Sequence, residues 1–182
     1  IDAVNVNNME ATYDLVKTMR ASFYVLGPLI ARFNHSEVSL PGGCAWGPRP
    51  VDFHIKAFRE MGVKVDLSNG NIIAKGKPSG EEIIFPKKSV GATGNVLMAS
   101  VKAEGVTVIK NASMEPEISS LCHFLVKLGA QINGIGTETL EIHPIIEENN
   151  AFTFDIIPDR IEAGTFLIAC AATGGRITLK NV

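Results

Sequence analysis

The sequence predicts an α/β protein assembled from repeated β-α-β-α-β-β units and incomplete at both ends. Three observations carry this. Segments 20–41, 89–110 and 160–180 share one plan: a long apolar stretch, a polar turn, then a strand-like run. Between the copies lie amphipathic helices that open on proline and stop at glycine, which is ordinary helix punctuation. Each of these helices is followed by two short β-patterned runs joined by a turn signal.

The elements follow in order. Residues 1–19 are expected to be the closing strand and lead-in of an earlier copy. The first apolar helix occupies the stretch after Arg20 and leads to a strand ending near Leu40. A second helix is expected over 50–61, with Val51, Ile55 and Phe58 on one face and Gly62 at its end. Val63–Leu67 then turns at Asn69-Gly70, a strong two-residue hairpin signal, into Ile72–Ala74. The next copy repeats this order. An apolar helix follows Ser89, and a strand ends at Ile109. A helix over 116–128 presents Ile118, Leu121, Cys122 and Leu125, and is capped by Gly129. Gln131–Asn133 turns through Gly134–Gly136 into Leu140–Ile142. The third apolar helix follows Arg160 and leads to a strand at Leu179. Leu40, Ile109 and Leu179 are spaced 69 and 70 positions apart, so they are expected to be equivalent. The first helix of each copy carries almost no charge away from its ends, so all three should be buried nearly all round. The predicted core is therefore helical and walled by sheets. The third copy stops at Val182 after its strand, which suggests a piece of a longer repeat protein.

Composition narrows the function. The 182 residues are 46% hydrophobic and 20% charged, as in ordinary soluble domains. Lys and Arg number 17 against 19 Asp and Glu, a net charge of −2, which argues against general nucleic-acid or anionic-membrane binding. Anion recognition must then come from a few placed cations. Three cysteines, Cys44, Cys122 and Cys170, cannot all pair and lack zinc-site spacing, which points to reduced thiols and a cytoplasmic setting. Cys122 and Cys170 sit among apolar helix positions and are expected in the core.

Cys44 is different. It stands in LPGGCAWGPRPVDFHI (40–55), where the flanking Gly and Pro residues forbid a regular element. Arg49 and a helix start expected at Pro50 lie close by, and both favour a thiolate. A second constellation is Lys87-Lys88-Ser89-Val90-Gly91 at the entry to an apolar helix, where backbone N–H groups plus a cation suit a diphosphate. Lys88 reads as a solvated charge. Glu115 and Glu117 flank a helix start, where carboxylates favour the dipole, and receive no catalytic role.

These blocks resemble the UDP-N-acetylglucosamine 1-carboxyvinyltransferases, a branch of the enolpyruvyl transferase family. The resemblance covers nearly the whole chain through YDLVKTMRAS (13–22), PGGC with RPVDFH (41–54), KSVGAT (88–93), NASMEPEI (111–118) and PDRIEAGTF (158–166). It implies an inside-out α/β barrel. It also implies transfer of enolpyruvyl from phosphoenolpyruvate to the 3-hydroxyl of UDP-N-acetylglucosamine with release of phosphate, the first committed step of peptidoglycan synthesis. No cofactor or metal is implied. Cys44 matches the proton donor, which also forms a covalent adduct with phosphoenolpyruvate and is the target of fosfomycin. Arg49 matches a contact to the phosphate and the nucleotide sugar. Pro50, Val51, Asp52 and Phe53 match the stretch around uracil and ribose, which His54 borders. His54 itself is expected on the polar face of an exposed helix. Arg20 matches an arginine of the nucleotide-sugar site, and Lys87, Ser89, Val90 and Gly91 match the diphosphate loop. The chemistry suits these types: arginine grips paired oxygens well, and a tuned thiol can protonate an enol carbon.

Three positions depart from the family pattern: Trp46 and Phe53 replace aliphatic residues, and Met114 replaces an arginine. A Lys-Asn pair, a general-base Asp and further arginines of the family lie outside these residues. On this mapping residues 1–157 are most of a first domain lacking its first repeat, and 158–182 begin a second. The alternative reading is a non-catalytic nucleotide-sugar-binding or folding fragment. An RNA-terminal cyclase-like relative is disfavoured by the charge balance and the PGGC loop, and the sister enzyme of aromatic biosynthesis by its lack of that cysteine.

Overall fold

The computed structural model describes residues 3–17, 19–40, 51–149 and 151–182, with the side chain of Arg20 outside the description. The chain divides into two compact units, Ile1–Phe152 and Thr153–Val182.

The first unit holds two copies of one design. The first copy contains β1 (Glu10–Ala11), α1 (Tyr13–Val16), a 3-10 segment (Arg20–Val25), α2 (Leu26–Phe33), β2 (His35–Ser39), α3 (Asp52–Glu60), β3 (Lys64–Ser68) and β4 (Asn71–Lys75). The second contains β5 (Glu82–Ile84), α4 (Val90–Ser100), β6 (Thr107–Lys110), α5 (Pro116–Leu128), β7 (Gln131–Asn133) and β8 (Thr139–His143). The two sheets run β1-β2-β4-β3 and β5-β6-β8-β7. In each, the first pair is parallel and the other two are antiparallel. The matching order and direction establish the repeat within this unit.

Local rules account for most element ends. Asn69 and Gly70, at φ 51° and 78°, form the two-residue turn between Ser68 and Asn71, and both conformations match the twist of a tight hairpin. Helix α5 starts at Pro116 and stops at Gly129, whose φ of 119° a side chain would strain. Ser89 caps α4, its Oγ accepting from the Ala92 N–H at 3.2 Å.

Five expectations are corrected. Residues 10–11 do not close an earlier copy: β1 runs parallel to β2, as β5 does to β6, and so opens its own copy. The equivalent of Ile109 is Val38, two residues before Leu40. Val38 pairs with Ile72 as Ile109 pairs with Leu140, and all four are buried, whereas Leu40 lies past the strand end and is exposed. Helix α3 starts at Asp52 with Val51 as its N-cap, later than Pro50 suggested. No strand is assigned over 175–182, because a strand needs a bonded neighbour and none of the described residues pairs there.

The last correction concerns the apolar helices. Only α4 is buried almost all round, packed against α2, α3 and α5. Helix α2 buries Leu26, Gly27 and Ile30 but exposes Pro28 and Arg32. In the second unit, α6 (Arg160–Thr173) buries only Ala163 and leaves Ile161, Leu167 and Ile168 exposed. Cys170 is accordingly half-buried, while Cys122 is fully buried as expected. An apolar helix is buried only where neighbours surround it.

Candidate functional site

Cys44, Arg49 and Pro50 lie outside the described residues, and so does the side chain of Arg20, whose backbone begins the 3-10 segment. The remaining site residues fall on two adjacent helix starts. Val51, Asp52, Phe53 and His54 form the entry to α3, and Ser89, Val90 and Gly91 form the entry to α4.

These entries meet directly. A Cβ built on Gly91 would come within 3.2 Å of His54 Nε2, so glycine permits the close approach of ring and helix. Phe53 tilts against Phe85 with ring centroids 6.4 Å apart, which ties α3 to the segment before the predicted diphosphate loop. Asp52 and Lys87 are exposed, while Val51, Phe53 and Val90 are partly buried.

The first intrahelical bond of α4 runs from Thr93 N–H to Ser89 O at 2.9 Å. The Val90 and Gly91 amides precede it, so helix geometry leaves them without partners in their own helix. Together with the macrodipole, they give this end of α4 a partial positive charge. Lys88 is not simply solvated: it bonds Glu138 at 2.5 Å and bridges the loop to the turn before β8.

His54 is the main correction at the site. It is buried, at 8% exposure, rather than facing solvent. Its ring packs edge-on to Phe23 with centroids 4.9 Å apart, and its Nδ1 lies 3.0 Å from Asn95 Nδ2. Sequence reasoning missed Asn95 and Phe23. A signal was present, because a polar amide in the middle of an apolar helix requires partners when buried. A shallow groove on the outer side of α3 includes Asp52 with Lys56, Arg59 and Leu67 but no other predicted residue. Among the described residues there is no cluster of His, Cys, Asp or Glu suited to a metal, and no helix long and apolar enough to cross a membrane.

Two sheets of one repeated topology around a buried helix, with two helix starts side by side, are the architecture of the enolpyruvyl transferase class. The chain belongs to the family described as EPSP synthase (3-phosphoshikimate 1-carboxyvinyltransferase), whose model matches residues 1–182. Within it, curated relatives are named UDP-N-acetylglucosamine 1-carboxyvinyltransferase. The Chlorobaculum parvum protein is 57% identical across 100% of this chain, and the Chlorobium chlorochromatii protein 55% identical across 98%. The chain spans 43% of the length of each. Among solved structures, the enolpyruvyl transferase NikO from Streptomyces tendae superimposes with a TM-score of 0.69. It is 23% identical and covers 92% of this chain and 40% of its own. The EPSP synthase from Acinetobacter baumannii gives 0.55 at 17% identity, over 69% of this chain and 29% of its own. These two structures bear on fold alone, and they agree with the inside-out α/β architecture that the family resemblance implied.

Proposed function

We propose that the full-length protein carrying this chain transfers the enolpyruvyl group from phosphoenolpyruvate to the 3-hydroxyl of UDP-N-acetylglucosamine. The observation that carries this reading is 57% identity, over the whole chain, to a relative of that name. The PGGC loop holding Cys44 supports it, as does the apposition of the two helix starts.

In this reading the sugar oxygen bonds to C2 of phosphoenolpyruvate while the Cys44 thiol gives its proton to the C3 methylene. A base takes the hydroxyl proton, and a tetrahedral adduct results. Loss of a C3 proton then expels inorganic phosphate and restores the double bond. Arg49 holds the phosphate, and Arg20 belongs to the nucleotide-sugar site. Pro50, Val51, Asp52 and Phe53 surround uracil and ribose, bordered by His54. Lys87, Ser89, Val90 and Gly91 take the diphosphate at the positive end of α4. The chemistry is acid–base and electrostatic throughout, so it calls for no cofactor. Closure of two domains around both substrates provides positioning. Residues 1–157 belong to the first domain and 158–182 open the second.

The activity places the protein in the cytoplasm at the start of peptidoglycan synthesis. A coupled phosphate-release assay on the full-length protein tests this. Phosphate release dependent on both substrates is expected, and turnover with shikimate 3-phosphate instead would move the protein to the other branch of the family. With sugar nucleotide bound, fosfomycin should alkylate Cys44, and a label on Cys122 or Cys170 would count against that assignment.

The 43% coverage favours a second reading for the chain by itself: a non-catalytic fragment that binds the nucleotide sugar or serves only to fold. Phosphate release by the 182 residues alone refutes it, and calorimetry separates binding from none.

A further inference from the structure

Asn95 is fully buried in the middle of α4, and each of its amide hydrogen-bonding groups is used. Its Oδ1 accepts from the Gly27 N–H at 2.9 Å, and its Nδ2 donates to the Phe23 carbonyl at 3.1 Å. Those two backbone groups are four residues apart, the spacing of an α-helical hydrogen bond. The side chain therefore stands where the ladder of helix 20–33 would close on itself. The helix is split at this point: the Leu26 N–H turns to Phe23 in 3-10 fashion, and regular α-helix resumes at Leu26. Two causes act here: Pro28 has no N–H for the Tyr24 carbonyl four residues back, and the Asn95 amide inserts between Phe23 and Gly27.

The amide orientation follows from its partners. A backbone N–H only donates and a carbonyl only accepts, so Oδ1 must face Gly27 and Nδ2 must face Phe23. The second Nδ2 hydrogen then points at His54 Nδ1, 3.0 Å away. That nitrogen must accept, so the neutral ring carries its hydrogen on Nε2. Nε2 is the ring edge that lies against Gly91.

We propose that Asn95 is a positioning residue of the nucleotide-sugar site, holding His54 as the Nε2–H tautomer and the Arg20-bearing 3-10 segment against α3 and α4. The proposal rests on the function argued above for its ligand, but not for its geometry. One amide joins three segments. His54 follows Phe53 in the first turn of α3 and sets the spacing between that turn and the first turn of α4. In this reading Asn95 does not contact the ligand itself; it acts through His54, which it bonds, and through the 3-10 segment.

Two readouts on the full-length protein test this. In the first, long-range 1H–15N spectra of the histidine rings, with His54 assigned by its loss in His54→Gln, should show His54 bearing hydrogen on Nε2 and not on Nδ1. In Asn95→Asp the donor becomes an acceptor, and His54 Nδ1 should become protonated. In the second, KM for UDP-N-acetylglucosamine should rise at least fivefold in Asn95→Asp, while KM for phosphoenolpyruvate stays within twofold. A general loss of structure would instead lower the active fraction without separating the two. Asn95→Ser, small and neutral, offers the same two readouts should the aspartate variant fail to fold. There His54 should lose its single tautomer and show both. A wild-type ring protonated on Nδ1, a variant ring unchanged, or an unchanged nucleotide-sugar KM overturns the proposal. Wild-type protein that processes no nucleotide sugar overturns the functional reading instead, and the ring spectra still decide whether Asn95 sets the tautomer.

Discussion

Replacing Gly27 with alanine should destabilise the protein although it lengthens no side chain by more than one carbon. Gly27 lies in α2 where the backbone of α4 comes closest. An added Cβ would stand 2.4 Å from the Asn95 carbonyl oxygen, 2.9 Å from its Oδ1 and 3.2 Å from its carbonyl carbon. The first and last are backbone atoms of a buried helix and cannot rotate away, so the two helices must separate. Overpacking of this kind costs about 1–3 kcal/mol. Weakening the Gly27 to Asn95 hydrogen bond adds about 1 kcal/mol. The better helix propensity of alanine returns about 1 kcal/mol. The net expectation is a loss of about 1–3 kcal/mol, read as a lower urea midpoint at unchanged m-value. Gly94→Ala provides the comparison. Its Cβ would meet Tyr24 Cε1 at 2.6 Å, but that atom belongs to a half-buried side chain that can turn aside, so the loss should be smaller. A neutral or stabilising Gly27→Ala, or a Gly94→Ala that costs more, would refute the reasoning that backbone contact between α2 and α4 limits this position.

Further outcomes follow from the same geometry. Burial pushes the Cys122 thiol up to about 11, so at pH 8 only about one molecule in a thousand carries its thiolate. Mass spectrometry after brief alkylation of the folded protein should find Cys122 unlabelled, with labelling only after denaturation. Ser89→Ala removes the N-cap of α4 and should cost about 1 kcal/mol in thermal or urea unfolding, with Ser89→Asp restoring most of it. Hydrogen bonds from His143 and then Asn133 favour the ionised Glu141 carboxyl and hold it below the usual glutamate range. In an NMR titration its midpoint should lie low and move up in His143→Gln; an unmoved midpoint would sink that assignment of cause.

Features governed by neighbours in sequence were legible. The Asn69-Gly70 hairpin, the Pro116 start and Gly129 end of α5, and the apolar face Ile118, Leu121, Cys122 and Leu125 all appear as read. Each depends on dihedral preferences or on a period of a few residues. Of the candidate site, the two helix starts at Val51–His54 and Ser89–Gly91 were legible, while their direct apposition came from the fold. His54 was misjudged because a helical pattern alone does not reveal which neighbour covers which face. The equivalence of Leu40 with Ile109 was misplaced by two residues, a slip that alternation cannot detect because two residues are one full period of the pattern.

The sequence by itself determined the repeated unit, its turns and caps, and the residue types suited to phosphate and acid chemistry. Only tertiary structure decided which apolar helix is enclosed, which side chain fills the break that Pro28 favours in helix 20–33, and how His54 is held. The contact that decides the last two joins Gly27 to Asn95 across 68 positions. Its two ends interact only after the sheets and helices of both copies have packed. A buried amide then takes whichever backbone donor and acceptor the fold brings to it, and its need for partners is local while their identity is not.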